Sequence, residues 1–159
     1  MSLTVVNLQR KVQLNTGEIR AFVESLPRSI EEASDHSFSV AFISDRRMKE
    51  LNRFFRGKDS TTDVLSFPHE PDEFVQNAGF SPLSADQPPE SETQDVYLGD
   101  IVISVEQAQK QAAENGLTLE NEIKQLILHG LLHLCGHDHE TDAGEMNKLE
   151  LKLRRKLKI

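Results

Sequence analysis

The chain has 159 residues, of which 37% are hydrophobic and 28% charged, with a net charge of −8 and a single cysteine, Cys135. That length suits one compact domain whose core needs no disulfide staples, and the composition excludes a disordered chain. No apolar run approaches the roughly 20 residues that span a bilayer, and with no signal-peptide layout at the start and no possible intrachain disulfide the expected setting is the reducing cytoplasm.

Residues 3–9 read as a strand rich in β-formers. Asn15-Thr16-Gly17-Glu18 then offers a helix start, with Ile19, Phe22, Val23 and Leu26 as one apolar stripe and Pro27 closing it. A second strand covers Phe38–Ile43. Ser44 caps a helix over about 45–55, whose inner face would be Met48, Leu51, Phe54 and Phe55. A short strand over Val64–Phe67 is stopped by Pro68. Residues 69–95 hold five prolines or glycines and little periodicity, which reads as an acidic surface loop or insertion, or a linker. Tyr97–Ser104 is the fourth strand. Ser104 or Val105 opens a helix that stops at Asn115-Gly116. Thr118 caps the next helix, 119–135, and Glu120 and Glu122 suit its positive end. A last helix covers about 142–157, with Met146, Leu149, Leu153 and Leu157 inward. The expected architecture is a single α/β (α+β) domain. A small mixed four-stranded sheet packs with about five helices.

The helix of 119–135 is apolar almost all round. At ~100° per residue, Ile123, Ile127, Leu131 and Leu134 share one face and Leu128 and Leu132 lie on another. Such a helix is central and buried. It also carries His129 and His133, four apart and so on one side, about one turn from each other. Gly136 lets the chain reverse, and His139 can return as a third ligand. Three histidines that leave a fourth position open for water are the pattern of a catalytic zinc site rather than a closed structural one. A single histidine on an apolar helix is more often a satisfied core residue. Four of the six histidines within eleven residues favour one bound metal ion, zinc.

The spacing H-x3-H-x5-H, with Gly136 three after His133, equals that of the metzincin proteases. Their general base would be a glutamate at position 130, where this chain has Gly130, so a conventional peptidase is not expected. Asp138 reads as a turn-former or a partner that orients a ligand. His137 fits less well as a ligand. Cys135 reads as a small packed hydrophobe and Glu122 as a surface residue.

The net negative charge speaks against a purely electrostatic nucleic-acid binder. It is uneven, though: residues 69–96 contain seven acidic side chains and no Lys or Arg. Basic residues gather at Arg46, Arg47, Lys49, Arg53, Arg56 and Lys58 and again in the tail 152–158, which alone would read as solvated helix faces.

The stretch HGLLHLCGHDH at 129–139 resembles the signature of the YbeY family of endoribonucleases, also called rRNA maturation factors. Asn52 with FFRGKDSTTDVLSFP at 54–68, and LGDIVIS at 98–104, agree independently, so the resemblance covers nearly the whole chain. It implies one zinc ion on His129, His133 and His139, with His129 also catalytic. It further implies Arg56 as the key basic residue of the cleft, a role that suits a guanidinium facing a phosphate. Asp63, Ser66 and Asp100 would hold strand ends and the cleft in place. The implied activity is cleavage of single-stranded RNA in rRNA maturation (16S rRNA 3′ end) and ribosome quality control, with rRNA as substrate, the ribosomal small subunit or associated proteins as partners, and no membrane. Two readings compete: a metal-dependent hydrolase of another substrate such as a peptide, and a non-catalytic, zinc-stabilised ribosome-associated factor. The segment 69–95 is longer and more acidic than the family leads one to expect, and His137 stands where tyrosine is common.

Overall fold

Strands built of continuous apolar runs are the mark of a sheet covered on both faces, and β-rich runs at 36–43 and 96–104 supply them here. The computed structural model describes residues 3–34, 36–69, 96–138 and 143–159. The elements in chain order are β1 (Thr4–Asn7), α1 (Thr16–Ser29), β2 (His36–Ile43), α2 (Asp45–Arg56), β3 (Val64–Pro68), β4 (Val96–Ser104), α3 (Val105–Asn115), α4 (Leu119–Leu134) and α5 (Glu145–Leu157). The sheet order is β1-β2-β4-β3. β1 and β4 run parallel to β2, and β3 runs antiparallel to β4. The expected mixed four-stranded sheet with five helices is what the described residues form. The acidic stretch, apart from His69, lies outside them. No described helix is long and apolar enough to cross a membrane.

Helix starts follow the sequence signals. Asn15 accepts a hydrogen bond from Glu18 N, Ser44 from Arg47 N and Thr118 from Asn121 N, each relieving one orphan donor of the first turn. The larger core lies on one sheet face. There Phe38, Val40, Phe42, Ile101 and Ile103 meet Ile19, Val23 and Leu26 of α1, Ile123, Ile127 and Leu131 of α4, and Met146 and Leu153 of α5. Helix α4 is central as expected, packing on β3, β4, α1, α3 and α5. Truncating one of its buried leucines to alanine costs about 2–5 kcal/mol. The other sheet face carries a small cluster of Ile43, Met48, Leu65 and Val102, extended by Leu51 and Phe67, under α2.

Alternation along β3 links the two faces. Val64 packs into the larger core and Ser66 bonds to α4, while Leu65 and Phe67 belong to the cluster under α2. β3 is the edge of the sheet among the described residues, so α2 and α4 come to opposite sides of one five-residue strand.

Three expectations are corrected. Pro27 does not close α1, which runs on to Ser29. Proline forgoes one backbone bond in a helix, but the buried Leu26 and Ile30 flank it and Ile30 N bonds Leu26 O at 2.9 Å. Glu122 is not a surface residue: it is buried, and its carboxylate accepts from Asn115 Nδ2 at 3.3 Å where α3 and α4 pack together. Phe54 and Phe55 are not inward. They are 81% and 58% exposed, because α2 runs past most of the small cluster after Leu51 and only Phe55 still touches it, through Phe67.

Candidate functional site

Helix α4 delivers two imidazoles side by side at its C-terminal end. His129 Nε2 and His133 Nε2 lie 3.1 Å apart, with the rings edge to face. The other nitrogen of His129 is tied down: Nδ1–H donates to Glu150 Oε1 of α5 at 2.7 Å. A carboxylate can only accept, so Nδ1 carries the proton of this bond and Nε2 is the ring nitrogen turned toward His133. Burial would raise the Glu150 pKa, but the His129 ring outweighs it, helped by Arg154 and His133, and holds the carboxyl below the usual carboxylate range. Arg154 Nη2 donates to its second oxygen at 3.3 Å.

The two described nitrogens suit a zinc-type ion, and among the described residues no third His, Cys, Asp or Glu completes a set with them. Two nitrogens on one tetrahedral centre with bonds of ~2.0–2.1 Å stand about 3.3–3.4 Å apart, close to the separation observed. The carboxylate behind one imidazole is a recurrent support for such ligands. His139, the third expected ligand, lies outside the described residues.

Gly130 has a packing reason. A Cβ there would come within 2.9 Å of Ile101 Cγ2 and 3.0 Å of Ser66 Oγ. Ser66 Oγ also donates to Gly130 O at 3.2 Å, fastening β3 to α4. A side chain at this position would have to displace Ile101 and Ser66, so close packing as well as sequence sets this site apart from the protease pattern.

Arg56 is the last residue of α2. Gly57 follows at φ 67°, a conformation costly for a residue with a Cβ, and its N–H bonds Arg53 O at 3.1 Å. The buried Asn52 donates from Nδ2 to Ser60 O at 2.8 Å, pinning the chain beyond the cap. These constraints fix the end of α2 where Arg56 lines the same cleft as the histidines. A cleft of about 720 Å³ is lined by Phe55, Arg56, the β3 segment 62–68, His129, His133 and the turn 136–138.

Of the residues singled out from sequence, Arg56, Asp63, Ser66, His129, His133, His137 and Asp138 come together in this cleft. Asp63 Oδ1 accepts from Val64 N at 2.8 Å, so it shapes the wall. Asp100 is not part of the lining. It lies beyond the Phe55–Phe67 contact, in a second hollow with Ser39, Ala41 and Val102, and accepts from Tyr97 Oη. Cys135 packs half-buried against the main core, as expected. Glu150 was not anticipated. Its signal was positional: with Met146, Leu153 and Leu157 it falls at i, i+4, i+7 and i+11, an acid at an inward-facing place on a helix.

The family profile described as Endoribonuclease YbeY matches residues 4–158. The chain belongs to the YbeY family. It is 37% identical to endoribonuclease YbeY of Alkaliphilus metalliredigens, over 94% of this chain and 91% of the relative. It is 43% identical to endoribonuclease YbeY of Leptospira interrogans, over 75% and 83%. The fold is shared with the solution structure of TM1509 from Thermotoga maritima, at a TM-score of 0.60 and 26% identity over 99% of this chain and 92% of that one.

Proposed function

We propose that the chain is a zinc-dependent endoribonuclease that cuts single-stranded RNA in rRNA maturation, at the 3′ end of 16S rRNA, and in ribosome quality control. The observation that carries this reading is one cleft lined by Arg56 together with His129 and His133. YbeY-family membership supports RNA as substrate. His129, His133 and His139 would hold the ion, which supplies a Lewis acid for phosphate oxygen and brings the pKa of a water down to about 7. Arg56 pairs through its guanidinium fork with the phosphate and offsets the charge that grows on its oxygens as the phosphodiester breaks. Glu150 keeps the His129 ring in one tautomer and one orientation. Ribosomal small-subunit RNA in the cytoplasm is the proposed target, with ribosome-associated proteins assisting a chain that is acidic overall.

The test pairs a nuclease assay on single-stranded RNA with a casein assay, using His133→Ala as control, and measures metal content of the purified protein beside His139→Ala. RNA cleavage lost in the first variant, and an equimolar zinc signal lost in the second, are expected. Peptide cleavage without RNA cleavage, or no metal in either protein, overturns the reading.

A further inference from the structure

Residues 45–58 carry six basic side chains against two acidic ones in a chain of net charge −8. One of those acids, Asp45, is engaged internally, accepting from Ser104 Oγ at 3.1 Å and Gln107 Nε2 at 3.2 Å. Arg46, Lys49, Arg53 and Arg56 fall at i, i+3, i+7 and i+10, so they form one stripe down α2, and all four are exposed. The stripe ends at the cleft, and there the helix places Phe54 and Phe55 in water. Phe54 and Phe55 share the last turn with Arg53 and Arg56 but point to other sides of the helix than the stripe, and their exposure is not explained by the fold, since neither belongs to a described core cluster.

The ring geometry is informative. Phe54 and Phe55 meet edge to face, with centroids 4.9 Å apart and planes at 75°. Phe55 meets Phe67 the same way, at 5.1 Å and 68°. An edge-to-face contact covers at most one face of one of its two rings, so Phe54 keeps at least one face that Phe55 does not cover. Phe55 and Phe67 line the same cleft as Arg56 and the histidines, so the aromatic run leads from the phosphate position out to solvent. Aromatic faces interleaved with Arg and Lys are how proteins hold single-stranded nucleic acid: the cations track the backbone and unstacked bases lie on the rings.

We propose that Phe54 and Phe55 form a stacking platform for the unpaired bases next to the phosphate held at Arg56. This deepens the endoribonuclease reading and rests on it. A duplex offers no free base face to such rings, so the platform favours single strands.

The chain contains no tryptophan, so Phe54→Trp introduces one reporter at an exposed position. The probes are a ten-nucleotide single-stranded 2′-O-methyl RNA, an abasic strand of equal length and a ten-base-pair RNA duplex. The base-bearing single strand should quench the tryptophan. The abasic strand and the duplex should bind by fluorescence anisotropy without quenching. The Phe54→Ala/Phe55→Ala double variant should bind the base-bearing strand roughly 5- to 100-fold more weakly while its affinity for the abasic strand is unchanged, and Phe55→Tyr should restore binding. Undiminished binding of the base-bearing strand without quenching overturns the platform and leaves the endoribonuclease reading standing. Failure of the unmodified protein to bind or cleave any RNA sinks both. Quenching on raising protein concentration alone overturns the platform in favour of a face that docks a second copy. If the double variant does not fold, the quenching comparison decides by itself.

Discussion

Helices α4 and α2 both end at the cleft, but from opposite faces of the sheet and by opposite means. α4 is buried on nearly every side, and its histidines are fixed by Glu150, by the core and by the close approach of Gly130 to Ile101. α2 rests on a four-residue cluster, and its last turn stands in solvent with Phe54, Phe55 and Arg56 exposed. Under the proposed function the contrast separates two tasks. A wall that holds an ion needs nitrogen positions kept to fractions of an ångström, which a packed core supplies. A wall that meets a long flexible polyanion needs reach and charge, which an exposed helix end supplies.

The comparison can be broken most severely at α4. His133→Ala should reduce ribonuclease activity to background and lower bound zinc together, measured by RNA cleavage and elemental analysis. Arg56→Ala on the opposing wall should lower kcat/KM by roughly 10²–10³-fold with bound metal and thermal stability unchanged. A parallel loss of metal would mean that the walls are not separable. Glu150→Gln keeps an acceptor for His129 but removes its charge, and should weaken zinc about 10–100-fold in chelator competition. Gly130→Ala should cost about 1–3 kcal/mol through overpacking, read as a fall in Tm of about 2–4 °C per kcal/mol. The mildest effect belongs to the exposed stripe: Lys49→Ala or Arg53→Ala should flatten the salt dependence of single-strand binding by about 0.7 in the log–log slope, with no change in Tm.

The same contrast explains what could be read from residues alone. The periodicity of 119–135 and its cap at Thr118 announce a buried helix, and four-residue spacing puts two histidines on one side of it. The strands at 36–43 and 96–104 are apolar enough to be read directly. Periodicity assigns a residue to a face of a helix but does not say whether anything covers that face, so Phe54 and Phe55 were expected inside and stand outside. Glu150 belongs to the same class of miss: sequence shows an acid on an amphipathic helix, and only the packing of α5 on α4 brings it to His129. Arg56 needed the family resemblance, because an arginine at a helix C-terminus is ordinary in itself.

Between Asn52 and Asp63 the chain is held at several points. Gly57 N and Lys58 N return to Arg53 O and Asn52 O, Asn52 Nδ2 grips Ser60 O, and Ser104 N holds Asp63 O. The span between the guanidinium and the imidazoles is therefore set by a count of residues. Deleting one residue inside α2 would roll Arg56 by about 100° around the helix axis, turning it off the cleft without touching any side chain that lines it. Side chains at 58–60 are exposed, so it is the number of residues there, rather than their packing, that sets this span. Over evolutionary time this segment should refuse insertions and deletions.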